Sequence, residues 1–380
     1  MDYGEILKLA SEQNLQALVC EKLCETREFT TSGEYARAAA DTVGLVAGQS
    51  ARTEAFLELY RKFEKAGLQL VIMKGIICRE LYGKFRDHRP SGDEDILVRQ
   101  EDFPAMRKVM EDSGYRMEME NVSDQELEVL QEITFNSAEA GLHIEVHTNP
   151  MGSQSEMHRQ MNRYFRDIFG RKSSVQIGDV KVWTMDPTDH FLFLILHALK
   201  HWVAGGIGIR QELDICLFCQ TYGEEIDWKY IEKSLRETNA GMFFNDLLFI
   251  GNQWLGFQLK VGGVLNCPEE LLDDLLKNGM FGNFTQAQRT AGSMIMAATE
   301  QKKTYDEKKS VFKAIFPGIK FMRIRFPILV EKPWLLPVYW VVRWGFFLQH
   351  NRENGGNLAR ESIRISQRRI SLLRKYKIIR

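Results

Sequence analysis

Hydrophobic positions change their period twice along the chain. Up to about residue 67, Ile6, Leu7, Leu9, Leu15, Leu18 and Val19, then Phe56, Leu57, Leu59, Tyr60 and Phe63, recur at roughly three to four residues, the spacing of helices that bury one face. From Leu68 shorter runs take over. Leu68 to Met73 is apolar and halts at Lys74-Gly75; a helix-like segment follows, and Asp93-Glu94-Asp95 leads into a second apolar run ending at Val98. That order predicts strand, glycine turn, helix and acidic strand. Pro104 to Ser113 reads as a helix closed by Gly114, and YRMEMEN after it alternates as a strand does. The pattern of Glu126 to Phe135 fits a strand or a short helix equally. LHIEVH (Leu142 to His147) alternates, Met157 to Phe169 is amphipathic, and Gly178-Asp179 between two β-rich halves of Val175 to Trp183 predicts a hairpin.

Asp186-Pro187-Thr188-Asp189 starts a helix, since Asp caps free amides and Pro suits the first turn. Helical spacing then runs to about Leu259, and again from about Asn266 to Thr304 around the break NGMFGN at Asn278 to Asn283. Glu300 to Ser310 is charged; Phe326 to Pro337 is Pro-rich and carries Trp334; a helix with Tyr339, Trp340 and Trp344 follows, then a basic one from Leu358 to Tyr376. The expected organisation is a helical cap at 1–67, an αβ core at 68–183, a helical domain at 184–310 and a basic helical extension at 311–380. The fold class is α/β (α+β), a short mixed sheet flanked by helices.

A chain of 380 residues, 44% hydrophobic and 27% charged, has room for a substantial core and is neither disordered nor fibrous in composition. Its net charge of −1 does not call for a nucleic-acid partner. Neither an export signal nor an apolar run of bilayer length is visible, so a cytoplasmic location is expected. Six cysteines, including Cys216-x-x-Cys219 and the pair Cys20 and Cys24, have no second pair at zinc spacing and read as buried thiols.

The chemistry concentrates in the strands. Alternate side chains of an extended chain share a face, so Asp93 and Asp95 point one way and Glu94 the other, and His143, Glu145 and His147 point together. Three carboxylates converging on one sheet surface cannot stay ionised unaided, and a hard divalent cation removes that cost. Two such ions about 3.5–4 Å apart activate an attacking hydroxyl and steady a leaving phosphate. Gly75, at a strand-to-helix turn, would let a phosphate approach the backbone and the amides opening the next helix.

Gly75 in its turn, Asp93-x-Asp95 before an apolar strand and an acid in a later strand resemble the DNA polymerase β-like nucleotidyltransferase superfamily. MKG (Met73 to Gly75), LY (Leu81-Tyr82), RPSGDEDILV (Arg89 to Val98), GY (Gly114-Tyr115), IEVH (Ile144 to His147) and LILHALKHW (Leu194 to Trp202) are similar, more narrowly, to the bacterial family called uncharacterised nucleotidyltransferase. The resemblance covers about Gln69 to Leu259, with fainter echoes in PWLLP at Pro333 to Pro337. It implies Mg²⁺, as a two-ion site, or Mn²⁺, held by Asp93, Asp95 and Glu145, with Glu145 drawing the proton from an acceptor hydroxyl. It implies transfer of a nucleoside monophosphate from a nucleoside triphosphate, with release of pyrophosphate. Where the superfamily has Gly-Ser or Gly-Gly, this chain has Lys74-Gly75-Ile76, so a hydroxyl is missing and Lys74 is the candidate phosphate contact, with Gly75, Arg89 and Gly92.

Other residues carry two readings. His147 contacts the acceptor or holds an acid in place. Arg86 and Arg89 meet phosphate or pair with Asp87 or Glu94. His197 and His201, four apart on one helical face, are more simply buried and hydrogen-bonded; if functional, they line the cleft with Lys200, Arg210 and Asp214, where a base or the acceptor lies. The basic set Arg360, Arg364, Arg368, Arg369, Arg374, Lys375 and Lys377 is a solvated face or grips a polyanion, and the aromatics upstream could touch a membrane surface. Besides nucleotidyl transfer, two functions fit: a metal-dependent phosphohydrolase or phosphotransferase, and a nucleotide-binding module without turnover. The acceptor is not legible.

Overall fold

A computed structural model describes residues 1–119, 132–153, 155–260, 262–278, 291, 292, 295, 315–326, 328–353 and 358–379. The expected N-terminal helices are present as α1 (Tyr3–Glu12), α2 (Gln16–Leu23), α3 (Arg27–Thr30) and the long α4 (Tyr35–Lys65). Next come β1 (Val71–Ile72), the single-turn α5 (Ile76–Glu80), β2 (Glu94–Leu97), α6 (Phe103–Asp112), β3 (Arg116–Met117), β4 (Ile133–Ser137) and β5 (Leu142–His147). After α7 (Glu156–Asn162) and α8 (Ile168–Arg171), β6 (Ser173–Ile177) and β7 (Val180–Thr184) form the predicted hairpin, with Gly178 at φ 59°. Of the ambiguous stretch Glu126 to Phe135, the part from Ile133 is strand, Glu132 just precedes it, and 126–131 lie outside the described residues.

The strands make one mixed sheet in the order β3-β4-β5-β2-β1-β7-β6. β2 runs parallel to β5 with Asp95 opposite Glu145, and β1 is antiparallel to β2 and parallel to β7. One face packs on helices: Phe56, Leu59, Tyr60 and Phe63 of α4 and Met106 and Met110 of α6 share a core with Ile72, Ile96, Ile144 and Val182. The hydrophobic core therefore runs across residue 67, because the second half of α4 supplies the layer that the sheet needs on that side.

The other face meets a helical layer of α9 (Pro187–Ala204), α10 (Ile209–Tyr222), α11 (Trp228–Glu237), α12 (Gly241–Trp254) and α13 (Pro268–Asn278). α9 starts as its sequence predicts: Asp186 accepts hydrogen bonds from the amides of Thr188 (2.9 Å) and Asp189 (3.2 Å), with Pro187 in the first turn. Its Phe191, Ile195, Leu199 and Trp202 are fully enclosed, as expected of a helix apolar nearly all round. Gln13, between α1 and α2, binds the Ile209 amide and the Leu275 and Leu276 carbonyls, so the N-terminal helices are stitched to this layer too.

Later helices are α14 (Ile319–Arg325), α15 (Ile328–Glu331), α16 (Leu336–Glu353) and α17 (Leu358–Lys375). The reading of Arg369 as part of a solvated or polyanion-binding face is corrected: it is 5% exposed, pairs with Asp274 and donates to the Trp202 carbonyl. The apolar face of α17, with Ile370, Leu373 and Tyr376, turns it inward onto α9 and α12. NGMFGN falls largely, and Glu300 to Ser310 entirely, outside the described residues. All six cysteines are free.

Candidate active site

The parallel register of β2 and β5 puts Asp95, Glu145 and His147 on the sheet face that looks at α9. One ligand atom from each lies within 4.8 Å of the others. His147 Nε2 is 3.2 Å from Asp95 Oδ1 and 4.0 Å from Glu145 Oε2. Asp95 is 1% exposed, yet neither of its oxygens accepts a hydrogen bond of good geometry among the described residues. Lys74 Nζ, 3.1 Å from Asp95 Oδ1, partly balances its charge. Burial works against the Asp95 anion, but Lys74 and His147 outweigh it and hold the pKa well below the carboxylate range. At Glu145 the balance goes the other way: burial first, then Asp95, Glu132 and Asp93, push its carboxyl up to about 9. The site is buried, and it crowds two acids together so closely that only one of them ionises readily.

Asp93 lies outside the converging group. It precedes the first ladder residue of β2, so no register fixes its side chain, although its charge reaches Lys74 and Glu145. Where two aspartates and a glutamate were expected, two acids and an imidazole meet. That donor set fits one divalent cation: the carboxylate oxygens suit Mg²⁺, and the imidazole nitrogen admits Mn²⁺ or another first-row ion.

Gly75 does not have the role its sequence suggested. At φ 55° it lets Glu94 close over the turn: a Cβ there would stand 1.9 Å from Glu94 Oε2. That oxygen accepts the Ile76 amide at 2.7 Å, while Oε1 pairs with Arg79 at 2.6 Å. The first amide of α5, expected to greet a phosphate, already has an anion. Sequence reading missed this because Glu94 sits 18 positions after Ile76 and meets it only through the β1–β2 pairing.

The arginines are similarly engaged. Arg89 pairs with neither Asp87 nor Glu94 but in a fork with Asp214 of α10, at 2.7 and 2.6 Å, and with Ser91 at 3.0 Å. Arg210 donates to the Pro90 carbonyl, and the Ser91 amide donates to Gln49 of α4 at 2.9 Å. These bonds hold the loop that delivers Asp93 and Asp95. Arg86 lies 3.5 Å from Glu80. Gly92 is exposed, and a side chain there would meet nothing within 4 Å.

Opposite the acids, α9 presents His197, Lys200 and His201 on one face. His197 Nε2 lies 3.3 Å from Lys74 Nζ and 2.9 Å from His201 Nε2. Burial, then the cations around them, holds both imidazoles well below the ordinary histidine range, and so neutral. Lys200 is 3% exposed with no hydrogen-bond partner on Nζ among the described residues. Burial and then Lys74 bring its pKa down to about 8, against the pull of Glu132, Asp95 and Glu145. His158 of α7, also buried without hydrogen bonds on its ring nitrogens among the described residues, is held down to about 4 by burial, then by Lys200 and Arg159. His158 escaped the sequence reading, since a lone histidine in an amphipathic helix gives no signal.

The family described as uncharacterised nucleotidyltransferase matches residues 1–256. The chain belongs to that family. The match takes in the N-terminal helices and ends just after α12, so this nucleotidyltransferase family spans both the sheet and most of the helical layer, more than the Gln69 to Leu259 stretch whose motifs resemble it. No curated protein and no solved structure matches.

Proposed function

We propose that this family member transfers a nucleoside monophosphate from a nucleoside triphosphate to an acceptor, releasing pyrophosphate, at the site between β2, β5 and α9. The observation that carries the reading is the convergence of Asp95, Glu145 and His147 within 4.8 Å on one sheet face, with Asp95 and His147 buried. A divalent cation, Mg²⁺ or Mn²⁺, would offset those acids and the triphosphate together. Asp95, Glu145 and His147 would hold it, with Asp93 at the entrance to β2 adding charge. Burial and the neighbouring acids push the Glu145 carboxyl up to about 9; with a cation offsetting those charges it would ionise and could take the proton of an acceptor hydroxyl.

The phosphates need cations that are not already spent. Arg79, Arg89 and Arg210 have protein partners, and the Ile76 amide has Glu94. Lys200 is buried, has no hydrogen bond on Nζ among the described residues and feels the pull of Asp95 and Glu145; Lys74, 3.1 Å from Asp95, would add a second positive charge. The neutral His197 and His201 line the same wall and offer hydrogen bonds to substrate without adding charge.

A second reading has one observation behind it. Lys74 lies 3.1 Å from Asp95 and already supplies a cation there, which is what a triphosphate-binding module without turnover would tolerate. Incubation with each nucleoside triphosphate, Mg²⁺ and a cell extract separates the readings. Acceptor-dependent pyrophosphate release is the expected result; orthophosphate release would indicate a phosphohydrolase, and metal-dependent binding without product would indicate the module.

A further inference from the structure

α16 is built inside out for a helix facing water. Its inward side carries the polar tips: Trp340 Nε1 donates to the Pro317 carbonyl and Trp344 Nε1 to the Ile315 carbonyl, both at 3.0 Å. Its outward side is apolar. Val338 is 54% exposed, Val341 62% and Phe346 47%, with Val342 beside them and Trp334 73% exposed just ahead of the helix. Positions 338, 341, 342 and 346 follow helical spacing, so they form one stripe. Scattered apolar residues on a surface mean little, but a contiguous stripe with its tryptophan N–H groups turned away marks a covered face.

The charges around the stripe say what covers it. Of the charged side chains here Arg325 and Lys332 are exposed, against one exposed acid, Glu331, while Arg323 and Arg343 donate inward to the Leu329 and Ile315 carbonyls. The Arg325 guanidinium lies 5.9 Å from the Phe346 ring, at the margin of the stripe, and Lys332 is exposed next to Trp334. A second copy packing here about a two-fold axis would set this patch against itself, bringing like charges together. An anionic bilayer surface complements it: headgroups meet Arg325 and Lys332 while the valines, Phe346 and Trp334 enter the acyl boundary. No helix among the described residues is long and apolar enough to cross a membrane, so the geometry is that of a helix lying in the interface.

We infer that α16 and the Trp334 turn dock the protein on anionic lipid surfaces, through a segment beyond the residues that match the family. The full-length protein should co-sediment with vesicles of phosphatidylcholine containing roughly a third phosphatidylglycerol, and far less with pure phosphatidylcholine. The double variant Val338→Asp/Val341→Asp should weaken that partition by about tenfold or more, and Arg325→Glu/Lys332→Glu should weaken it and remove its salt dependence. Both pairs are surface changes, so the thermal midpoint should stay within a few degrees. The inference is overturned by absence of binding to the anionic vesicles, by equal partition of the double variant, or by light scattering that shows a dimer which the double variant dissociates. The last result would give the face to a second copy.

Discussion

Asp95 and Glu94 are neighbours on one strand, both almost wholly buried, and they have opposite situations. Glu94 points to the α4 side, with one oxygen on Arg79, the other on the Ile76 amide, and Gly75 pared back to admit it. Asp95 points to the α9 side, where Lys74 and His147 lie 3.1 and 3.2 Å from Oδ1, neither oxygen accepts a well-formed hydrogen bond among the described residues, and a second acid lies across the β2–β5 register. A buried charge whose lone pairs are all met is part of the frame. One whose lone pairs are left over, among like charges, is held ready for something that arrives. The same contrast separates Arg89, forked onto Asp214, from Lys200, which has no hydrogen bond.

The sharpest way to break this comparison is to neutralise each carboxylate's side in turn. Asp95→Asn should cut acceptor-dependent pyrophosphate release by roughly 10²–10³-fold or more, with an unchanged circular dichroism spectrum. Wild-type turnover in that variant would mean Asp95 does no chemistry. On the other face, Arg79→Leu leaves Glu94 buried without its partner and should cost about 3–5 kcal/mol of stability in chemical denaturation. A variant that stays as stable as the parent would remove Glu94 from the frame.

Lys200→Met should raise the dissociation constant for Mg²⁺-pyrophosphate, read by calorimetry, about tenfold, while the melting temperature rises because a buried unpaired ammonium is gone. Lys200→Arg should keep most of the binding. Destabilisation by the methionine would reveal a structural partner for Lys200 and blur its distinction from Arg89.

The smallest effect concerns a buried acid far from the β2–β5 register. Glu212 of α10 is fully enclosed and accepts from the Cys216 thiol at 3.3 Å; burial pushes it up to about 8. The folded state then binds more protons than the unfolded chain between the ordinary glutamate value of 4.5 and about 8, so this group's contribution to stability falls as pH rises through that window. Glu212→Gln should flatten the decline in melting temperature over that range by a few degrees. An identical pH profile would mean Glu212 is partnered in a way these contacts do not capture.

Much of the frame was open to reading from residues alone. The period of two in LHIEVH placed His143, Glu145 and His147 on one face, and Gly178-Asp179 and Asp186-Pro187 marked their hairpin and helix start, because strand alternation and capping are local rules. Nothing local could tell that Glu94 would fill the Gly75 turn, that Asp214 would claim Arg89, or that Arg369 would be drawn under Trp202, since each partner is brought in by another element.

What the sequence by itself determined, then, is the inventory: which strand carries which acids, and which side of that strand each one takes. Which of those charges are spent was decided only by the tertiary structure, because whether a buried ion is neutralised depends on groups that arrive from distant parts of the chain and on how much water they exclude.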